Sequence, residues 1–145
     1  MSFLRATGLC TNDVRQKALA FQRAVFNVVF NNRDDHPKNF AYLMSAGGEW
    51  ALAPAYDVTF CEGPGGYHQM DVLGQALDIS RGQLLRLGVE ETDMTGKEVA
   101  DTIDLACEVA STFTQRAQDS LPGAITKSTV RTIQARINQN IALLK

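Results

Sequence analysis

The sequence predicts a mainly α-helical fold with one small β-hairpin, and three observations carry that prediction. Apolar residues recur at three- and four-residue spacing in long stretches near both ends of the chain. Two capping-box patterns, Ser80 with Gln83 and Thr95 with Glu98, open helices in the second half. Short apolar runs around a glycine turn occur together at one place, between Phe40 and Ala53. At 145 residues, 45% of them hydrophobic, the chain has the length of one domain and can bury a sizeable core.

Val14, Ala18, Phe21, Val25 and Val28 form one helical stripe, which predicts a helix from about Asp13 to Phe30 with Thr11, Asn12 or Asp13 as its N-cap. Phe26, Val29 and Phe30 make its last turns apolar nearly all round, so this end is expected deep in the core. An acidic loop follows. Next, Phe40–Met44 and Trp50–Ala53 flank Ser45-Ala46-Gly47-Gly48-Glu49, the makings of two short strands and a turn. Such a hairpin returns Asp57 to the neighbourhood of the acidic loop. Phe60 to Gln69 is a glycine-rich loop with Gly63, Gly65 and Gly66, of the kind that often orders with a ligand. Ser80 opens a helix carrying Leu84, Leu85 and Leu87, with Gly88 as its expected stop. A further helix is expected from about Gly96 to Gln118, with Val99, Ile103, Ala106, Ala110 and Phe113 inward and Pro122-Gly123 beyond its end. Val130, Ile133, Ile137, Ile141 and Leu144 predict a last helix from about Thr126 to the end. With no internal repeat, low-complexity tract or linker, residues 1–145 read as one domain.

Fourteen basic against sixteen acidic residues leave a net charge of -2 with no long basic run, which argues against nucleic acid as a direct ligand. Cys10, Cys61 and Cys107 are widely spaced and free of a C-x-x-C pattern, against both a disulfide framework and a structural zinc site. Met1-Ser2 reads as a start, and no apolar run is long enough for a signal peptide or a membrane span. A cytoplasmic protein with no membrane partner is therefore expected.

The chemistry concentrates in Asn32-Arg33-Asp34-Asp35-His36-Pro37-Lys38-Asn39 and in Asp57, eighteen residues after Asn39. A kinase catalytic loop has the form R-D-x-x-x-x-N, where the Asp takes the proton of the substrate hydroxyl, the Asn holds magnesium, and a later Asp holds the metals against the nucleotide phosphates. Arg33, Asp34 and Asn39 have that spacing, and Asp57 is available as the second metal ligand. Oxygen ligands of this kind suit a hard Mg²⁺ that keeps its waters. Asp35 could replace Asp34, since adjacent side chains differ mainly in direction, but the five-residue spacing to Asn39 favours Asp34. His36 either acts electrostatically on the transferred phosphate or braces the loop, with bracing ahead. Lys38 reads equally as a phosphate contact or a solvated lysine. His68 reads as an exposed loop residue, and Phe40, Trp50 and Tyr56 as packing.

The segments Phe26–Phe40 and Trp50–Val58 together resemble the C-terminal lobe of HipA-like serine/threonine kinases, the toxins of bacterial toxin–antitoxin pairs. The likeness extends over essentially the whole chain. It implies Asp34 as catalytic base, Asn39 and Asp57 as Mg²⁺ ligands, a mostly helical lobe, ATP and a protein serine as substrates, and a small helix-turn-helix antitoxin as partner. Family members are much longer, and nothing ahead of Arg33 has a G-x-G-x-x-G or P-loop form. The chain thus reads as a lobe without its nucleotide-clamping N-terminal lobe, inactive unless that lobe is supplied in cis or trans. Asp57 is followed by Val58-Thr59 where ordinary protein kinases have Phe-Gly. Two rivals stand beside this reading: a metal-dependent phosphohydrolase built on Asp34, Asp35, His36 and Asp57, and a catalytically silent module that binds a partner such as an antitoxin.

Overall fold

The structure, a computed structural model, describes residues 3–120 and 122–145. Met1 and Ser2, read as a start, lie outside the described residues. The fold is mainly helical, as the sequence predicts. Its elements run α1 (Phe3–Thr11), α2 (Val14–Val29), β1 (Tyr42–Met44), β2 (Trp50–Leu52), α3 (Arg81–Glu91), α4 (Gly96–Ser111), α5 (Phe113–Ser120) and α6 (Lys127–Leu143). No helix of the described residues is long and apolar enough to cross a membrane.

Helix α2 is the centre of the core. Asp13 is its N-cap, its carboxylate accepting from the Arg15 N–H, and Ala20, Phe21, Val25, Val28 and Val29 are buried. The stripe departs from expectation only at its start, where Val14 is 56% exposed, while Phe26 and Phe30 stack at 4.3 Å between ring centroids. Helix α1 has no counterpart among the helices that the sequence pattern predicts. Only Leu4 and Thr7 of its nine residues are buried, too few to write a period into the sequence. It packs on α2, and the Thr7 hydroxyl bonds both the Phe3 carbonyl and, at 2.8 Å, the Tyr42 hydroxyl of β1.

The hairpin pairs Tyr42 with Leu52, Leu43 with Ala51 and Met44 with Trp50. Its turn is held by the Ser45 hydroxyl, which accepts from the Gly47 and Glu49 N–H groups. Both capping boxes form, at Ser80–Gln83 on α3 and at Thr95–Glu98 on α4. Gly88 does not stop α3, which runs on to Glu91. A Cβ at position 88 would stand 2.6 and 2.8 Å from the Val99 methyls and 3.0 Å from Phe21 Cζ, so this glycine lets α3 and α4 approach closely. The expected single helix from Gly96 to Gln118 breaks at Thr112. There the Thr112 N–H and hydroxyl both turn back to the Val109 carbonyl, and the N–H of Thr114 goes instead to Gln134 Oε1 of α6 at 2.9 Å. Thr126 caps α6, whose Val130, Ile137, Ile141 and the following Leu144 are buried as expected.

Candidate functional site

The acidic loop is launched by the way α2 ends. Asn31 adopts φ 57° just past the helix, and the Asn32 N–H reaches the Asn27 carbonyl at 2.9 Å, a Schellman-type closure with asparagine in the place glycine usually takes. Asn31 is fully buried. Its amide donates to the Cys61 carbonyl at 3.1 Å, and its oxygen accepts from Asn140 of α6, which also donates to the Val29 carbonyl. The backbones of residues 31–33 and Cys61 then pair, Arg33 N–H to Cys61 O at 3.1 Å and Cys61 N–H to Asn31 O at 3.0 Å. The loop thus begins rigidly, stitched to the glycine-rich segment.

Asp34, Asn39 and Asp57 line a single cavity of about 270 Å³, with Asn27 and Asn32 among its polar walls and Leu19, Phe26 and Phe40 among its apolar ones. The hairpin accounts for the meeting: the chain leaves at Phe40, turns at Ser45–Glu49, and comes back through Leu52 and Ala53. Tyr56 ties the return to the loop by donating its hydroxyl to the Lys38 carbonyl at 2.9 Å, a contact rather than the packing expected of it. Trp50, also expected to pack, is 44% exposed. Asp57 has φ 52°, a left-handed conformation that non-glycine residues adopt sparingly, and is exposed. The Asn39 amide donates to the Asp34 carbonyl at 2.8 Å, so its side-chain oxygen is without a hydrogen bond among the described residues. Arg23 also lines the cavity and donates to the Ala53 carbonyl; burial lowers its pKa, though guanidinium basicity keeps it a cation.

Asp34 and Asp35 have different work. Asp34 is half-buried and its Oδ1 accepts from Gln69 Nε2 at 2.7 Å. Asp35 is buried, accepting at Oδ2 from or facing His68 Nδ1 at 2.8 Å, and at Oδ1 from the N–H groups of Gln69 at 2.7 Å and Met70 at 3.2 Å. His68 is therefore a buried partner of Asp35, against its reading as an exposed loop residue. Nothing local in Tyr67-His68-Gln69-Met70 announces this, because the partner lies thirty-three residues earlier in the sequence. Arg33 is buried as well and donates to the Gly66 carbonyl. Gly63 makes room for it: with φ 70°, a Cβ there would meet Tyr67 O at 2.4 Å and Arg33 Cβ at 2.8 Å.

His36 and Lys38 are exposed and are not among the residues lining the cavity. His36 caps the short 3-10 turn Pro37–Asn39, its Nδ1 accepting from the Lys38 N–H at 3.1 Å, and so sets the turn that presents Asn39. Three carboxylates line the cavity, and with Asp35 engaged by His68, Gln69 and Met70, the oxygens of Asp34, Asp57 and Asn39 are the hard donors left, a set that suits Mg²⁺ completed by water and phosphate. Among the described residues no group of three or more His, Cys, Asp or Glu is placed to hold a metal, so a tight all-protein cage is not built here. Of the ligands a phosphohydrolase would need, Asp35 is occupied in joining the acidic loop to the glycine-rich segment, and His36 spends its Nδ1 on its own turn and lies off the cavity lining.

The chain matches a domain of a kinase-like family. The family model of the HipA-like C-terminal domain matches residues 1–138, and the chain belongs to that family. A search of curated proteins gives no significant match.

Proposed function

We propose that this chain is the C-terminal lobe of a HipA-like protein serine/threonine kinase and that the cavity is its phosphoryl-transfer half-site. The observation that carries the reading is the meeting of Asp34, Asn39 and Asp57 at one cavity, although Asp57 is separated from the loop by a whole hairpin. Asp34 is the base. As the serine oxygen bonds to the γ-phosphorus of ATP and the bond to the β–γ bridging oxygen breaks, the hydroxyl proton passes to the Asp34 carboxylate and ADP leaves. The oxygens of Asn39 and Asp57 would hold Mg²⁺, which supplies charge neutralisation of the phosphates. His36 acts through the turn that it caps, and the exposed Lys38 is free to meet a phosphate at the rim.

Catalysis of this kind is chiefly positioning, and the nucleotide clamp belongs to an N-terminal lobe supplied in cis or trans. Exposed Leu43, Met44, Trp50, Tyr56 and Val58, on or just after the hairpin, support docking of such a lobe. The same reading proposes a cytoplasmic setting, a protein-serine substrate and a helix-turn-helix antitoxin partner. The test is phosphoserine formation from labelled ATP by the chain combined with an N-terminal lobe of a HipA-like kinase. Transfer is expected, with Asp34→Asn reducing it by about 100-fold or more while ATP binding is nearly intact. Association with the lobe or an antitoxin, but no transfer under any condition, would favour the silent interaction module instead.

A further inference from the structure

Asp34 does not stand alone at the cavity. Gln69 reaches it from the glycine-rich segment, and the geometry that delivers Gln69 is overdetermined. On one side, the Asp35 carboxylate takes the backbone N–H groups of Gln69 and Met70 and faces His68 Nδ1. On the other, the His68 N–H is held by the Ala76 carbonyl at 2.8 Å. With its backbone fixed between these anchors, Gln69 places Nε2 at 2.7 Å from Asp34 Oδ1. The orientation of the amide is settled by chemistry: a carboxylate only accepts, so the NH₂ must face it. Gln69 itself is exposed, and its side chain has no other hydrogen bond among the described residues.

A carboxylate base has two oxygens and a free torsion, and one fixed donor removes the torsion and spends one oxygen. Asp34 Oδ2 has no hydrogen bond among the described residues. We propose that Gln69 is a positioning residue of the phosphoryl-transfer site, locking Asp34 through Oδ1 so that Oδ2 takes the proton of the substrate hydroxyl. This rests on Asp34 being the base. It also gives the neighbouring carboxylates one joint purpose, since Asp35 holds the segment from which Gln69 acts.

The experiment has two arms. In the full chain, the Gln69 side-chain amide signals in a ¹⁵N NMR spectrum should move to free-amide values in Asp34→Ala, while the Gln69 and Met70 backbone signals stay in place; an unmoved side-chain signal overturns the proposal. In the chain combined with the N-terminal lobe, Gln69→Leu should lower kcat about tenfold with the KM for ATP within about twofold, because orientation and not nucleotide binding is lost. Gln69→Glu, which sets a second carboxylate against Asp34, should lower kcat further. Melting of both variants as the parent excludes a folding defect, which the exposed position makes a remote outcome. Unchanged kcat in Gln69→Leu, with Asp34→Asn still inactive, overturns the role of Gln69 and leaves Asp34 as base. Full transfer by Asp34→Asn overturns the reading of the site, and this proposal with it.

Discussion

Replacing Asp35 with alanine should loosen the whole wall of the site, and the size of the effect follows from what the carboxylate holds. Its two oxygens serve His68 Nδ1, Gln69 N–H and Met70 N–H, in surroundings where Asp35 and His68 are only 5% and 8% exposed. Removing one member of a buried, hydrogen-bonded polar group leaves its partners unpaired, a loss of about 3–5 kcal/mol. For a chain of this length, roughly 2–4 °C of melting temperature goes with each kcal/mol, so Asp35→Ala should melt roughly 10 °C lower. Asp35→Asn should lose less, about 1–2 kcal/mol. Its Oδ1 keeps both backbone N–H groups, and its amide can face His68 if that ring carries its proton on Nε2. Asp34→Asn at most weakens the bond from an exposed glutamine, because the amide oxygen can still accept it, and should melt within about 1 kcal/mol of the parent. The assays are thermal unfolding and hydrogen exchange. Asp35→Ala should raise the exchange of the Gln69 and Met70 amides by orders of magnitude. Protected amides and a melting point matching that of Asp34→Asn would refute the division of labour between the two carboxylates.

Gly88→Ala should destabilise by up to about 2 kcal/mol in denaturant unfolding. The new Cβ meets the methyls of fully buried Val99 at 2.6 Å, and that overpacking, about 1–3 kcal/mol, exceeds the helix-propensity gain of about 1 kcal/mol. A more stable variant would show that α3 and α4 can separate freely. Burial raises the pKa of the Cys107 thiol above its ordinary value, so less of it is thiolate at any given pH. Alkylation near pH 8 should therefore modify exposed Cys10 well before Cys107, and Cys107 should gain rate only as pH rises further; equal rates would contradict the packing of α4 on its neighbours.

The helices were legible in the sequence wherever one face is buried along several turns. Asp13, Ser80, Thr95 and Thr126 all cap as their residue types suggest, because a cap is a local bargain between one side chain and a few N–H groups. α1 escaped because it buries two side chains, and Gly88 misled because a helix-ending glycine and a helix-crossing glycine look alike without the partner helix. The cavity was partly legible. Asp34, Asn39 and Asp57 carry a spacing and lie around a hairpin whose turn is written in Ser45, Gly47 and Gly48. His68, Gln69 and Asn31 carry no spacing. Their partners, Asp35, Asp34 and Asn140, lie more than thirty residues away, and such polar pairs are fixed only when the chain has folded.

Titration of the ¹⁵N-labelled chain with Mg-ATP tests whether Asp34, Asn39 and Asp57 form a magnesium-dependent half-site for ATP. Binding should be weak, with a Kd in roughly the millimolar range, because these residues supply only the metal- and base-bearing half of the positioning. Signal changes should centre on the Asn39 side-chain amide and the backbone amides of Asp34, Asp57 and Val58, should require magnesium, and should vanish in Asp57→Asn. Changes confined to another surface, or micromolar binding that survives Asp57→Asn, would contradict that half-site.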